Sequence, residues 1–148
     1  MENYGKILLY SYKKLGKLAK EIEKLVNEKA VGSFYSPYDC ERIAEDIIRL
    51  ENAKEIILIT KEKMDKALKQ FSEQDLLMFE YRYFKSVIGK LPKPMSNDRQ
   101  YFREQRRLYV KFLSAIKSVG LTEEWFNENC LKLRYFADMC ELYNDSRL

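Results

Sequence analysis

The sequence predicts an all-α protein, with a long antiparallel helical hairpin over 1–71 followed by a small helical bundle over 72–148. Three observations predict it. Turn formers are scarce, with 5 Gly and 3 Pro among 148 residues, while 46% of the residues are hydrophobic and 34% charged. Apolar residues recur at spacings of three and four along most of the chain, the period that gathers them on one side of a helix. Apart from Gly5 and Gly16 inside the first run, the glycines and prolines fall between these runs, at Gly32 and Pro37, at Gly89, Pro92 and Pro94, and at Gly120. A chain of this length buries a real core, as one domain or as a small domain with an appended helical segment.

The first run, Tyr4 to Ala30, places Leu8, Tyr12, Leu15, Leu18, Ile22 and Leu25 on one narrow seam. A turn belongs over 31–37, VGSFYSP, where Ser36 suits an N-cap and Pro37 the first helical position. The second run keeps the seam through Ile43, Ile47, Leu50, Ile57, Met64, Leu68 and Phe71, with no Gly or Pro between Tyr38 and Phe71. Glu55 to Thr60 also fits a short strand, but the unbroken seam favours one long helix. Two facing seams make a hairpin, or a coiled coil with a second copy of the chain, so the segment is an expected homodimer or partner surface.

Ser72 opens the third helix, with Asp75 three residues on in a variant of the capping box, and Leu76, Leu77, Phe79, Tyr83 and Phe84 as its apolar members. Gly89 and the two prolines leave room for only a short element between Ser86 and Leu91. A fourth helix starts at Ser96 or Asn97 and ends before Gly120, a glycine placed to take the left-handed position after a helix. Thr122 caps the last helix, with Glu123 and Glu124 in its first turn. Phe126, Cys130, Leu133, Ala137 and Cys140 form its seam, Trp125 anchors it, and the tail NDSRL frays.

The fourth helix carries the strongest functional signal. At about 100° per residue, Phe102, Tyr109, Phe112, Leu113, Ile116 and Val119 share one face, with Tyr101 and Leu108 at its edge. Arg99, Arg103, Arg106 and Arg107 share the other, with Gln100 at their margin and Lys117 one turn on. Only Asp98 and Glu104 interrupt the basic side. The surrounding charge is lopsided as well: from Arg82 to Lys117 ten bases oppose two acids, whereas 121–148 holds six acids and three bases. Guanidinium groups match phosphates and the O6/N7 edge of guanine, so this face suits a polyanion and, above all, double-stranded DNA.

Two segments extend that reading. FSEQDLLMFEYRYFK, from Phe71, resembles the first helix of the C-terminal DNA-binding region of the sigma-70 family of transcription factors. SNDRQYFREQRRLYVKF, from Ser96, resembles the recognition helix of phage-type regulators that carry such a sigma region 4-like domain, the ArpU-like group. Over residues 72–120 the resemblance implies a helix-turn-helix and a sequence-specific transcriptional regulator of a bacteriophage or mobile element, with RNA polymerase as a further partner. It implies that Ser96 caps the recognition helix and that Asn97, Arg99, Gln100 and Arg103 face the major groove. Arg106, Arg107 and Lys111, with Lys90 and Lys93 in the preceding loop, would then meet phosphates. The chain departs from the pattern in KSVIGKLPKPM, which is short for a full middle helix and holds two prolines.

Other classes fit less well. The chain has no histidine, so the commonest general base and zinc ligand are missing, and Cys40, Cys130 and Cys140 show no CxxC spacing. Three Gly-Lys pairs, at Gly5, Gly16 and Gly89, lack the Ser/Thr of a phosphate loop. Glu41, Glu45 and Asp46 read as a solvated helix face rather than a metal site. No enzyme, metal or cofactor is therefore expected. Lysines break the apolar N-terminal run, and no stretch approaches a membrane span, so the expectation is a cytoplasmic protein with reduced thiols and no membrane partner. The rival class is a helical interaction or adaptor protein of a mobile element, binding a protein or RNA through the basic face.

Overall fold

The computed structural model describes residues 3–32, 40–84 and 97–146. Among these residues every regular element is helical. In order they are α1 (Tyr4–Gly32), α2 (Cys40–Leu68), α3 (Glu73–Phe79) running into a π-helical turn (Glu80–Phe84), α4 (Asp98–Ser118), α5 (Glu123–Asn129), a 3₁₀ turn (Cys130–Lys132) and α6 (Arg134–Ser146). Glu55 to Thr60 lies inside α2, so the helical reading holds over the strand alternative. The expected turn at Ser36 and Pro37 lies outside the described residues. None of the helices is long and apolar enough to cross a membrane, among the described residues.

Contacts divide the chain into two units, Met1–Lys13 with Glu62–Leu148, and Lys14–Lys61. The boundary expected at 71/72 falls inside the first. The second unit is the antiparallel hairpin itself: Lys29 near the end of α1 pairs with Asp46 near the start of α2 at 3.4 Å, while Gly16 lies against Lys61 at the other end. Leu15, Ala19 and Ile57 are buried in it. Toward the tip burial falls off: Leu25, on the seam of α1, is 45% exposed, and Ile48, about 140° round α2 from Ile43, is 61% exposed.

The first unit is built around aromatic rings. Phe79, fully buried, meets Phe71 at 5.2 Å and Phe112 at 5.9 Å between centroids. The wider π turn that follows sends two successive side chains inward, so Tyr83 stacks edge-on against Tyr10 at 4.8 Å and Phe84 tilts against Tyr12 at 5.2 Å. Tyr12 also donates a hydrogen bond to the Asp65 carboxylate. Gly5 lets α1 approach α4: a Cβ there would sit 2.8 Å from both the Tyr109 hydroxyl and Leu113 Cδ2. Nearby, the Tyr4 hydroxyl donates to the Leu121 carbonyl at 3.2 Å. The first turns of α1 thus belong to the body that carries α4.

Helix ends follow the sequence closely. The Ser72 hydroxyl accepts from the Asp75 main-chain N–H at 3.2 Å, and Thr122 accepts from Trp125 at 3.1 Å. Gly120, at φ +85°, closes α4: Gly120 N–H donates to Lys117 and Leu121 N–H to Ile116, while the Leu121 and Ile116 side chains are both fully buried. The Lys63 ammonium adds a bond to the Val119 carbonyl at 3.2 Å and rests 5.4 Å over the half-buried Trp125 ring. The last helix, expected to be continuous, is broken into α5, the 3₁₀ turn and α6. The Asn129 amide donates to the Trp125 carbonyl at 3.0 Å, drawing off an acceptor of the helical ladder, and Leu133 then turns extended at ψ 129°.

Candidate nucleic-acid interface

Helix α4 is held on the body by a stripe of Tyr101, Gln105, Leu108, Tyr109, Phe112, Ala115 and Ile116, all buried. Its N-cap is Asn97, whose Oδ1 accepts from the Gln100 N–H at 3.2 Å. Asn97, an exposed residue expected to face the groove, is thus the residue that caps the helix. Ser96, expected to cap, and Lys90 and Lys93, expected at phosphates, lie outside the described residues. So does the middle element of the expected helix-turn-helix.

Two assignments on the apolar face change. Phe102 is 51% exposed, because it lies roughly 80° from Phe112 around the helix, at the rim of the stripe rather than within it. Gln105 takes the inward place near the centre. Its amide donates to the Met78 carbonyl at 3.0 Å and to the Tyr101 hydroxyl at 3.3 Å, satisfying a carbonyl where α3 gives way to the π turn. No periodicity count finds this, since a polar residue within an apolar face reads as a defect until its partner is known.

The basic side separates into two environments. Arg107 grips Glu104 through two guanidinium nitrogens at 2.8–3.0 Å and reaches Asp75 at 3.6 Å. The hydrogen bond from Arg107 holds the Glu104 carboxyl below its ordinary pKa. Lys111 pairs with the same Asp75 at 3.7 Å and lies 4.7 Å over the Phe71 ring. Two cations here face two carboxylates, and Gln100 lies on this side as well. Arg99, Arg103 and Arg106 are exposed and make no ion pair with any described residue. Arg103 occupies the crest, while Arg99 and Arg106 lie toward Phe102.

Beyond Phe102 the surface dips into a cleft of about 290 Å³, bounded by Lys6, Arg82 and Arg106 and lined by Tyr83, Gln105 and Tyr109. The Lys6 ammonium lies 5.4 Å from the Tyr109 ring and the Arg82 guanidinium 5.4 Å from the Tyr83 ring. Burial pushes the Tyr83 phenol up to about 12, Arg82 partly opposing it, so the ring carries no charge near neutrality. Sequence reasoning assigned no role to Lys6 and, beyond its place in the basic tally, none to Arg82. Gly5 was the available signal, a small residue that lets α1 press onto Tyr109 and brings Lys6 beside α4. No protein family, curated protein or solved structure was found to match the chain.

Proposed function

We propose that the chain binds double-stranded DNA through the exposed arginine side of α4, as a sequence-specific transcriptional regulator of a bacteriophage or mobile element. The observation that carries the reading is that Arg99, Arg103 and Arg106 lie exposed on the first turns of a 21-residue capped helix, with no carboxylate partner among the described residues. Such an arrangement suits a helix whose N-terminal turns enter the major groove. Arg99 and Arg103 are the base-reading candidates, and Arg106 meets phosphate. The regulatory part, and RNA polymerase as a further partner, rest on the resemblance of residues 72–120 to sigma region 4-like domains.

The test is DNA selection from a random pool, followed by a salt titration of the enriched duplex. Arg103→Ala is expected to cost roughly 1 to 3 kcal/mol and relax one base preference, and Arg106→Ala to lower the salt slope by about one. Arg107→Ala with Lys111→Ala is the control, because those cations already face carboxylates. Equal retention of duplex by wild type and an Arg99/Arg103/Arg106 triple alanine variant would overturn the assignment.

Exposed Leu25 and Ile48 at the hairpin tip support a second copy of the chain as partner, which would give the regulator two half-sites. Light scattering of the full chain against Leu25→Glu with Ile48→Glu checks this. The wild type is expected to be the heavier species.

A further inference from the structure

We propose that the cleft between the first turns of α1 and the start of α4 is a binding site for a phosphorylated nucleoside. This goes beyond duplex binding and does not depend on it. Lys6, Arg82 and Arg106 come from three separate elements to one opening, and none has a carboxylate partner among the described residues. Like charges gathered with no counterion among the described residues repel one another, and an anion seated among them removes that cost. Phosphate is the anion that ammonium and guanidinium groups recognise together.

A phosphate alone does not account for the remaining lining. Phe102, 51% exposed, stands at the rim with its ring open to solvent, and Tyr109 backs the cleft as an apolar wall. An exposed aromatic ring among cations is a stacking platform for a base, which every nucleobase can use through its π face. Gln105 supplies a polar contact. It is only 3% exposed, its hydrogen bonds to Met78 and Tyr101 both use Nε2, and its Oε1 is buried with no partner among the described residues. A buried carbonyl left unpaired is a cost that a ligand N–H or O–H, such as an exocyclic amine or a ribose hydroxyl, would relieve. The cleft volume of about 290 Å³ is near the lower end of the range for small-molecule sites, which fits one nucleotide and not a longer segment.

The nucleotide can be free or be the 5′ end of a strand, and the experiment separates these. Titration calorimetry on the full chain would compare the four ribonucleoside triphosphates with unphosphorylated nucleosides and inorganic tripolyphosphate. At least one triphosphate is expected to bind about tenfold tighter than tripolyphosphate, the worth of one base stacked on Phe102. Nucleosides are expected to fall below detection. Arg82→Gln and Lys6→Gln should each weaken the nucleotide by about tenfold, as loss of a charge-assisted bond does. Phe102→Ala, at an exposed position that leaves the fold intact, should bring nucleotide and tripolyphosphate to equal affinity. A 5′-phosphorylated oligonucleotide that displaces the nucleotide, where its 5′-hydroxyl form does not, supports the proposal with a strand end as occupant. Failure of both to displace it supports a free nucleotide. Equal binding of triphosphate and tripolyphosphate by the wild type, or affinity unchanged in Phe102→Ala and Arg82→Gln, would overturn the proposal. Arg99→Ala with Arg103→Ala, outside the cleft, should leave the nucleotide unaffected while weakening duplex, so the two readings fail separately.

Discussion

Arg106 and Arg107 are neighbours in the sequence and both reach the surface, yet they meet opposite surroundings. Arg107 finds Glu104 at 2.8 Å and Asp75 at 3.6 Å, whereas Arg106 finds Lys6 and Arg82 around a shared cleft. One step of about 100° around the helix exchanges a neutralised side for one with unbalanced positive charge. Counting arginines along a helix therefore does not locate an anion site. The groups that neighbouring elements bring to each side decide it, and here α3 supplies an acid and α1 a base.

Both sides depend on the same aromatic body, and the largest expected effect comes from removing it. Phe112→Ala empties a fully buried place against Phe79 and should cost about 3 to 5 kcal/mol, seen as a lower midpoint in chemical denaturation. A loss under 1 kcal/mol would mean that α4 is not anchored through this ring.

Alkaline pH tests the cleft side next. The Tyr83 phenol, pushed up by burial from 10 to about 12, stays neutral in the folded chain at pH values where the unfolded chain has ionised it. Its contribution is fully present below pH 10 and is lost as pH rises toward 12, by on the order of 2 kcal/mol. Stability measured from pH 8 to 12 should fall, and Tyr83→Phe should flatten that fall. An unchanged slope in the variant would assign the loss to other phenols.

Gly5→Ala probes the approach that brings Lys6 to α4. Alanine gains up to about 1 kcal/mol as the better helix former, but a Cβ 2.8 Å from the buried Tyr109 hydroxyl forces a shift costing about 1 to 3 kcal/mol. A net loss of about 1 kcal/mol is expected in thermal melts, with weaker nucleotide binding. A stabilised variant would show that α1 is not pressed against Tyr109. The smallest effect belongs to the neutralised side. Arg107→Ala removes exposed ion pairs and should change stability by about 0.5 kcal/mol or less.

Much of the fold was legible before any coordinates. The caps at Ser72 and Thr122, the glycine at 120 and the two long seams all depend on local chemistry that a few neighbouring residues determine. The arginine side of α4 was legible for the same reason. Its division into two environments was not, because Asp75, Lys6 and Arg82 are brought there by packing between distant segments. The inward Gln105 shares that origin, whereas the outward Phe102 follows from its angle around α4 and the break after Asn129 from a side chain four residues past its acceptor. Gln105 is settled by a carbonyl 27 residues away, and the break by an amide that competes with the helix for a carbonyl.

The bond from Tyr4 to the Leu121 carbonyl joins positions 117 apart. During synthesis the opening turns of the chain leave the ribosome long before the strip they will cover exists. Closure over so long a loop costs more entropy than the contacts of the same turns with Asp65 and Tyr83, which lie nearer in the chain. Refolding kinetics should therefore show the amino-terminal turns docking last, after the remaining helices have gathered around Phe79.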